Sequence, residues 1–166
     1  MKQKLALCCA LIHRPEVLLL DEPGTGVDPV SRKEFWDMLK RLKGWGITIL
    51  VSTPYMDEAG LCDRVGLIQK GRIMAIDTPE AIARSYKHPL FAVRADDMYR
   101  LVLDLRAMDD AVGCYTFGAD AHLSLRTGKW KEANIEQYLA AKGHRDIHVQ
   151  ATAATIEDCF IELMKD

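Results

Sequence analysis

The 166-residue chain is poor in aromatics, 7% of the total, and has no long apolar run. Its longest uninterrupted apolar stretch, Leu5 to Ile12, is eight residues. A membrane span needs about 20, so the chain is not itself a permease or channel. Neither sign of charge dominates: 22 Lys and Arg against 24 Asp and Glu leave a net charge of −2. That balance argues against a nucleic-acid partner held by a global positive field. The cysteines Cys8, Cys9, Cys62, Cys114 and Cys159 are odd in number and contain no CxxC pair. A disulfide framework or a structural zinc site therefore fits poorly, and reduced thiols buried as small hydrophobes are expected. What remains is an ordinary globular mixture, 49% hydrophobic and 28% charged. Wholesale disorder is excluded, and the length suits about one domain of roughly 150 residues.

Met1-Lys2-Gln3-Lys4 before Leu5-Ala6-Leu7-Cys8 mimics the start of a signal peptide. The apolar run is short for one, about 7–15 residues being usual. The segment 14–28 directly after it needs residues 1–13 as a buried helix instead. Arg14-Pro15 ends that helix. Val17-Leu18-Leu19-Leu20 is a short apolar run bounded by breakers, the pattern of a strand buried on both faces of a parallel sheet. An acidic, glycine-rich loop, Asp21-Glu22-Pro23-Gly24-Thr25-Gly26, sits at its carboxyl end. A helix is predicted from about Pro29 to Lys43, with Phe35, Trp36, Leu39 and Leu42 on its apolar face. Two starts are open: Asp28 as N-cap with Pro29 at the first helical position, or a capping box of Ser31 and Glu34. Trp45, between Gly44 and Gly46, reads as a helix-end staple. Ile47 to Val51 is a second buried strand, and Tyr55 to Cys62 a short helix. Val65–Gln69 and Arg72–Ile76 form a hairpin across Lys70-Gly71, and Thr78-Pro79 opens a helix to about Tyr86.

After Lys87-His88-Pro89, a plausible linker, the order is strand, helix, strand, strand, helix, strand, with a final helix capped by Thr155. This is the ferredoxin-like pattern. Two units are expected: an α/β unit with a parallel sheet over residues 1–86, and a small α+β unit over residues 87–166. His144 and His148 have H-x3-H spacing but straddle Gly143, so they are not expected to converge on a metal. His13, His88 and His122 are expected on the surface or in loops. Trp130, between Lys129 and Lys131, reads as an exposed aromatic. The basic residues of the second helix, Arg32 and Lys33 through Lys43, read as its solvated face.

The chemistry sits at Asp21-Glu22. A buried strand fixes two adjacent carboxylates at its tip and points them in different directions. Asp21 is then placed to hold magnesium, directly or through water, beside a nucleotide's phosphates. Glu22 is placed to reach the water that attacks the terminal phosphate. The same pattern also arises where strand-end carboxylates merely cap helices or meet solvent.

Context sharpens this Walker B pattern. Leu18-Leu19-Leu20-Asp21-Glu22-Pro23, Thr25-Gly26-Val27-Asp28-Pro29, Ile47 through Thr53, Met56-Asp57-Glu58-Ala59 and Cys62-Asp63-Arg64 occur in register, and the match extends through Lys70-Gly71-Arg72. Together they resemble the ATP-binding subunits of ABC transporters, in the branch that drives multidrug-type exporters. The closing Ala154 to Leu163 is similar to that family's C-terminal accessory domain. The resemblance implies a partial P-loop NTPase (RecA-like) lobe followed by a small ferredoxin-like domain. It implies ATP and Mg2+ as ligands of the intact protein, with Glu22 as general base and Asp21 assisting the metal. Asp28 would lie in the D-loop. Met1, Lys2 and Gln3 would come just after the LSGG signature, their helix presenting backbone N–H groups to ATP on an opposite subunit. The implied partners are a transmembrane permease subunit and a second nucleotide-binding domain, with no nucleic acid, and the implied location is cytoplasmic, on the inner face of the membrane.

Two departures stand beside the match. No GxxxxGK[ST] occurs in the chain, nor an LSGG segment. The resemblance places both before Met1, so the chain resembles the C-terminal part of a longer protein, inactive alone. Secondly, Ser52-Thr53-Pro54-Tyr55 carries proline where the family has its switch histidine. Pro54 offers no side-chain hydrogen bond to a γ-phosphate. The alternative is therefore a non-catalytic chain, either a degenerate nucleotide-binding half or a truncated regulatory or dimerisation module. Gly24 stands where Thr or Ser is commoner, a smaller departure.

Overall fold

The structure is a computed structural model that describes residues 2–164. Its elements are α1 (Lys2–Leu11), β1 (Val17–Asp21), α2 (Pro29–Gly44), β2 (Thr48–Ser52), α3 (Met56–Ala59), β3 (Val65–Gln69), β4 (Arg72–Asp77), α4 (Pro79–Arg84), β5 (Leu90–Arg94), α5 (Met98–Arg106), β6 (Ala111–Phe117), β7 (Asp120–Leu125), α6 (Glu132–Ala141), β8 (His148–Ala151) and α7 (Ile156–Leu163). They group into two compact units that divide after Cys62. The β3–β4 hairpin and α4 group with the C-terminal residues, and α4 packs on α7.

In the first unit β1 and β2 pair in parallel, with Leu18 opposite Ile49 and Asp21 opposite Ser52 at the end of the ladder. Asp28 caps α2 by accepting from the Ser31 N–H at 2.9 Å, with Pro29 at the first turn. The first of the two open starts is thus the one formed. Leu7 of α1, Leu18 of β1 and Phe35, Trp36, Leu39 and Leu42 of α2 make the core.

Strand β1 is buried on one face only. Val17 is 56% and Leu19 70% exposed, as is Leu50 of β2 at 66%. Strand alternation explains it. Leu18 turns toward the helices, whereas Val17, Leu19 and Leu50 share the other face, which no described element covers. Helix α1 is likewise not a buried helix: Leu5 and, just past its end, Ile12 are exposed, and among its described side chains Leu7 alone is buried. Cys8 and Cys9 fall on its open side, so they are exposed rather than packed. Trp45 is no staple; it ends α2 at 77% exposure.

In the second unit β3 and β4 form an antiparallel hairpin closed by Lys70 at φ 48° and Gly71 at φ 73°. Two positive φ values in a two-residue loop match the twist of the strands. The four-stranded sheet has the order β6-β7-β5-β8, with every neighbouring pair antiparallel. Its core includes Val93, Leu101, Leu105, Leu123, Ile135 and Leu139, each wholly buried. Trp130 is half-buried against this core and meets Tyr138 edge to face at 6.2 Å, so it is not an exposed contact. Thr155 caps α7 in a capping box with Asp158. His122 is not a loop residue: it lies on β7, stacks on Phe117 at 4.2 Å and places Nδ1 2.9 Å from Asp158 Oδ1. His144 is buried with Nε2 2.9 Å from Asp104 Oδ2, and His148 is exposed on β8. No helix among the described residues is long and apolar enough to cross a membrane.

Candidate functional site

The acidic tip forms where β1 runs out. Parallel register sets Asp21 beside Ser52, and the Ser52 hydroxyl donates to Asp21 Oδ1. The same hydroxyl accepts from the Glu22 N–H at 3.0 Å, and that N–H also reaches the Ser52 carbonyl at 3.0 Å. Ser52 therefore holds both members of the carboxylate pair. Glu22 itself adopts φ 42°. A left-handed backbone costs a residue with a Cβ about 1–2 kcal/mol, and such strain persists only where neighbours over-determine it. Here the turn does so: Thr25 donates its hydroxyl to Glu22 Oε2 at 3.1 Å and its N–H to the Glu22 carbonyl at 3.1 Å. Asp21 and Glu22 are both solvent-exposed.

A second, buried carboxylate lies beneath this turn. Glu58 of α3 is only 2% exposed. Its Oε2 accepts from the Thr53 hydroxyl at 2.5 Å, while Oε1 has no hydrogen-bond partner among the described residues. Arg32 of α2 stands 3.9 Å from Oε1 through Nε, with its guanidinium 4.9 Å from the centre of the Tyr55 ring. Gly24 lies directly over the carboxylate, where an added Cβ would meet Glu58 Oε1 at 2.2 Å. A side chain at position 24 would have to displace the Glu58 carboxylate, and backbone conformation places no demand for glycine there.

Met1 lies outside the described residues, and Lys2 opens α1. Gln3 is half-buried and, with Lys4, Val27, Ser31 and Phe35, lines a small recess. Asp28 is exposed and engaged in capping α2, and the Ser31 N–H it accepts holds its carboxyl below the ordinary value. Pro54 is exposed, one residue beyond the Thr53 that binds Glu58. Asp21, Glu22, Thr25 and Ser52 form one cluster; Gly24, Thr53, Glu58 and Arg32 form the support below it.

Ser52, Thr25 and the Gly24–Glu58 contact are not legible as functional in the sequence. Two polar residues ending an apolar strand, Ser52-Thr53, are the available signal for the first. Nothing in the sequence marks Glu58 as buried.

The donor set can be tested against magnesium. Asp21 is a hard oxygen donor exposed at the strand tip, suited to an ion that takes one or two carboxylates and the rest of its shell from phosphate and water. Among the described residues no group of three or more His, Cys, Asp and Glu is placed to hold a metal ion.

Comparison with known proteins gives the context. No family model matches the chain. It is 37% identical over 99% of its length to the probable multidrug ABC transporter ATP-binding protein YbhF of Escherichia coli. It is 46% identical over 51% of its length to the Nod factor export ATP-binding protein I of Burkholderia orbicola, and 42% identical over 47% to the linearmycin resistance ATP-binding protein LnrL of Bacillus subtilis. The aligned part amounts to 28%, 28% and 25% of these relatives, about a quarter of their length. Over almost its whole length, the chain is therefore similar to part of an ABC transporter ATP-binding protein.

Proposed function

We propose that the chain supplies the Walker B strand, D-loop, switch segment and accessory domain of an ATP-hydrolysing subunit that drives an ABC exporter. The observation that carries this reading is the Ser52-anchored pair Asp21 and Glu22 at the carboxyl end of a parallel strand. Glu22 is the general base: its carboxylate takes the proton of the water that attacks the terminal phosphate. Magnesium, when bound with the nucleotide, neutralises phosphate charge beside Asp21. Asp28 in the D-loop and helix α1, with Lys2 and Gln3 at its start, face a second nucleotide-binding domain. The working partner is a transmembrane permease, at the cytoplasmic face of the membrane.

The parallel β1–β2 pair with its carboxylates at the strand end supports a RecA-like lobe in the N-terminal part of the chain. The order β8-β5-β7-β6, all antiparallel, with α5 and α6 as the two crossovers, supports a ferredoxin-like domain over residues 87–166.

The 166-residue chain contains no phosphate-cradling GxxxxGK[ST], so purified alone it should neither bind nor turn over ATP appreciably. Joined to the phosphate-binding loop it lacks, Glu22→Gln should abolish magnesium-dependent turnover while ATP binding survives. Turnover by the isolated chain that Glu22→Gln removes, or turnover indifferent to Glu22→Gln in the joined protein, would refute the reading. Pro54 favours a second one: a degenerate half that binds nucleotide and pairs with a competent partner. In that case Pro54→His raises turnover of the joined protein; unchanged turnover counts against it.

A further inference from the structure

We infer that Glu58 is a positioning residue: its buried carboxylate locks the turn that carries Glu22 to the end of the switch strand. Three observations converge on it. Glu58 is almost wholly buried, yet only one of its two oxygens is hydrogen-bonded among the described residues. A half-satisfied buried carboxylate is costly. Its bonded oxygen holds Thr53, the residue that precedes Pro54. Its second oxygen faces Gly24, two residues after Glu22, and lies 2.2 Å from where a Cβ at that position would sit.

The geometry makes Glu58 a strut between two loops. From Gly24 the constraint passes along the turn to Thr25, whose hydroxyl holds the Glu22 carboxylate. From Thr53 it passes to Tyr55, whose N–H binds the same Thr53 hydroxyl at 3.1 Å. Arg32 stands over the Tyr55 ring and balances the charge of Glu58 from α2. Pro54 has no side-chain hydrogen bond to offer; beside the Ser52 bonds to Asp21 and Glu22, the Thr53–Glu58 bond ties the end of β2 to the carboxylate on which Gly24 rests. Removing the carboxylate lets the turn settle into the vacated space and moves the Glu22 side chain with it.

The consequence for catalysis rests on the reading of Glu22 as general base; the strut itself does not. The test is amide hydrogen exchange of the full 166-residue chain, with no nucleotide present. Glu58→Ala should speed exchange at residues 22–25 and 53–56 by about tenfold, the scale of one lost local hydrogen bond, while exchange in α2 stays within about twofold. Glu58→Gln keeps the acceptor for Thr53 and the packing under Gly24, and should restore exchange at both loops to near the starting rate. The inference is overturned if Glu58→Ala leaves residues 22–25 unchanged. It is also overturned if the first unit loosens uniformly, α2 included, or if Glu58→Gln behaves as Glu58→Ala does. Loss of the strut in this experiment leaves the turnover test of Glu22 untouched, and failure of that test leaves the exchange result standing.

Discussion

Gly24→Ala is the smallest change that meets the buried carboxylate, and the contact geometry sets the sign of its effect. The new Cβ would lie 2.2 Å from Glu58 Oε1, whereas ordinary contact begins at 3.4 Å, so the two groups must part by about 1 Å. The carboxylate is the end of a flexible side chain, which would make the movement cheap on a surface. Here the other oxygen is tied to Thr53 at 2.5 Å, and the residue is buried. A shift of about 1 Å takes that bond beyond the roughly 3.2 Å limit of a good hydrogen bond and costs about 1 kcal/mol. Overpacking of the surrounding side chains adds to it, within a usual range of about 1–3 kcal/mol. Against this stands the entropy that alanine removes from the unfolded chain, about 0.4–1 kcal/mol in favour of folding. Position 24 has no positive φ, so backbone strain does not enter. The net expectation is destabilisation by about 1–2 kcal/mol.

In a Glu58→Ala background the obstacle is gone, and only the entropy gain remains. Gly24→Ala should there be neutral or stabilising by up to about 1 kcal/mol. The sign reversal is a coupling of about 1–3 kcal/mol, well above the roughly 0.3–0.5 kcal/mol scatter of independent sites. Urea unfolding followed by tryptophan fluorescence measures it. Trp36 is buried in the first unit, and a Trp130→Phe background silences the indole of the second. Equal costs of Gly24→Ala in both backgrounds would show that Glu58 does not press on the turn.

Three more outcomes are expected from side chains elsewhere in the chain. Burial pushes the Cys114 thiol up to about 11, whereas Cys8 and Cys9 are exposed; a thiol reagent at neutral pH should label Cys8 and Cys9 in the native chain, and Cys114 only after unfolding, as read by mass spectrometry. The His144 ring and, after it, Lys142 hold the Asp104 carboxyl below its ordinary value. Its contribution to stability is complete above the unfolded value, about 3.9, and is lost as pH falls through the lower folded value. The stability gap between the native chain and Asp104→Asn should therefore be widest at neutral pH and narrow in acid; a gap independent of pH would show that the ionised carboxylate is not what matters. Thr155→Ala removes the hydroxyl that binds the Asp158 N–H and should cost the second unit about 1 kcal/mol, with Thr155→Ser restoring most of it in urea unfolding.

Elements whose signals are local are readable from the residues. Asp28-Pro29 fixes the start of α2, Lys70-Gly71 the hairpin, and Thr155 with Asp158 the start of α7, because caps and two-residue turns are closed by residues a few positions apart. Burial is not readable where it depends on a neighbour distant in sequence. Val17, Leu19 and Leu50 have the composition of strands covered on both faces, yet a face is buried only if another layer lies on it, and none of the described elements does so. His122 and Trp130 differ in the other direction: both look solitary in the chain, and each is packed by a partner brought from elsewhere, Phe117 and Asp158 for the first and Tyr138 for the second.

The candidate site divides along the same line, and the division explains its two carboxylate layers. Asp21 and Glu22 announce themselves because they face solvent at a strand end, where charge is cheap and a substrate can reach it. Glu58 gives no such signal, because its neighbours come from three separate segments: Gly24 from the turn, Thr53 from the end of β2 and Arg32 from α2. A leucine of similar volume would avoid the cost of burying a charge, and a glutamine would still accept from Thr53. Only a carboxylate also attracts Arg32, which is itself held over Tyr55 and stands 4.0 Å from Asp57. The side chain therefore meets the end of β2 through Thr53 and the turn through Gly24, and its charge adds only the facing Arg32 of α2. That arrangement also accounts for Gly24: a turn pressed directly onto a buried carboxylate has no room for a side chain, so the departure at position 24 and the acid at position 58 are one feature of the molecule.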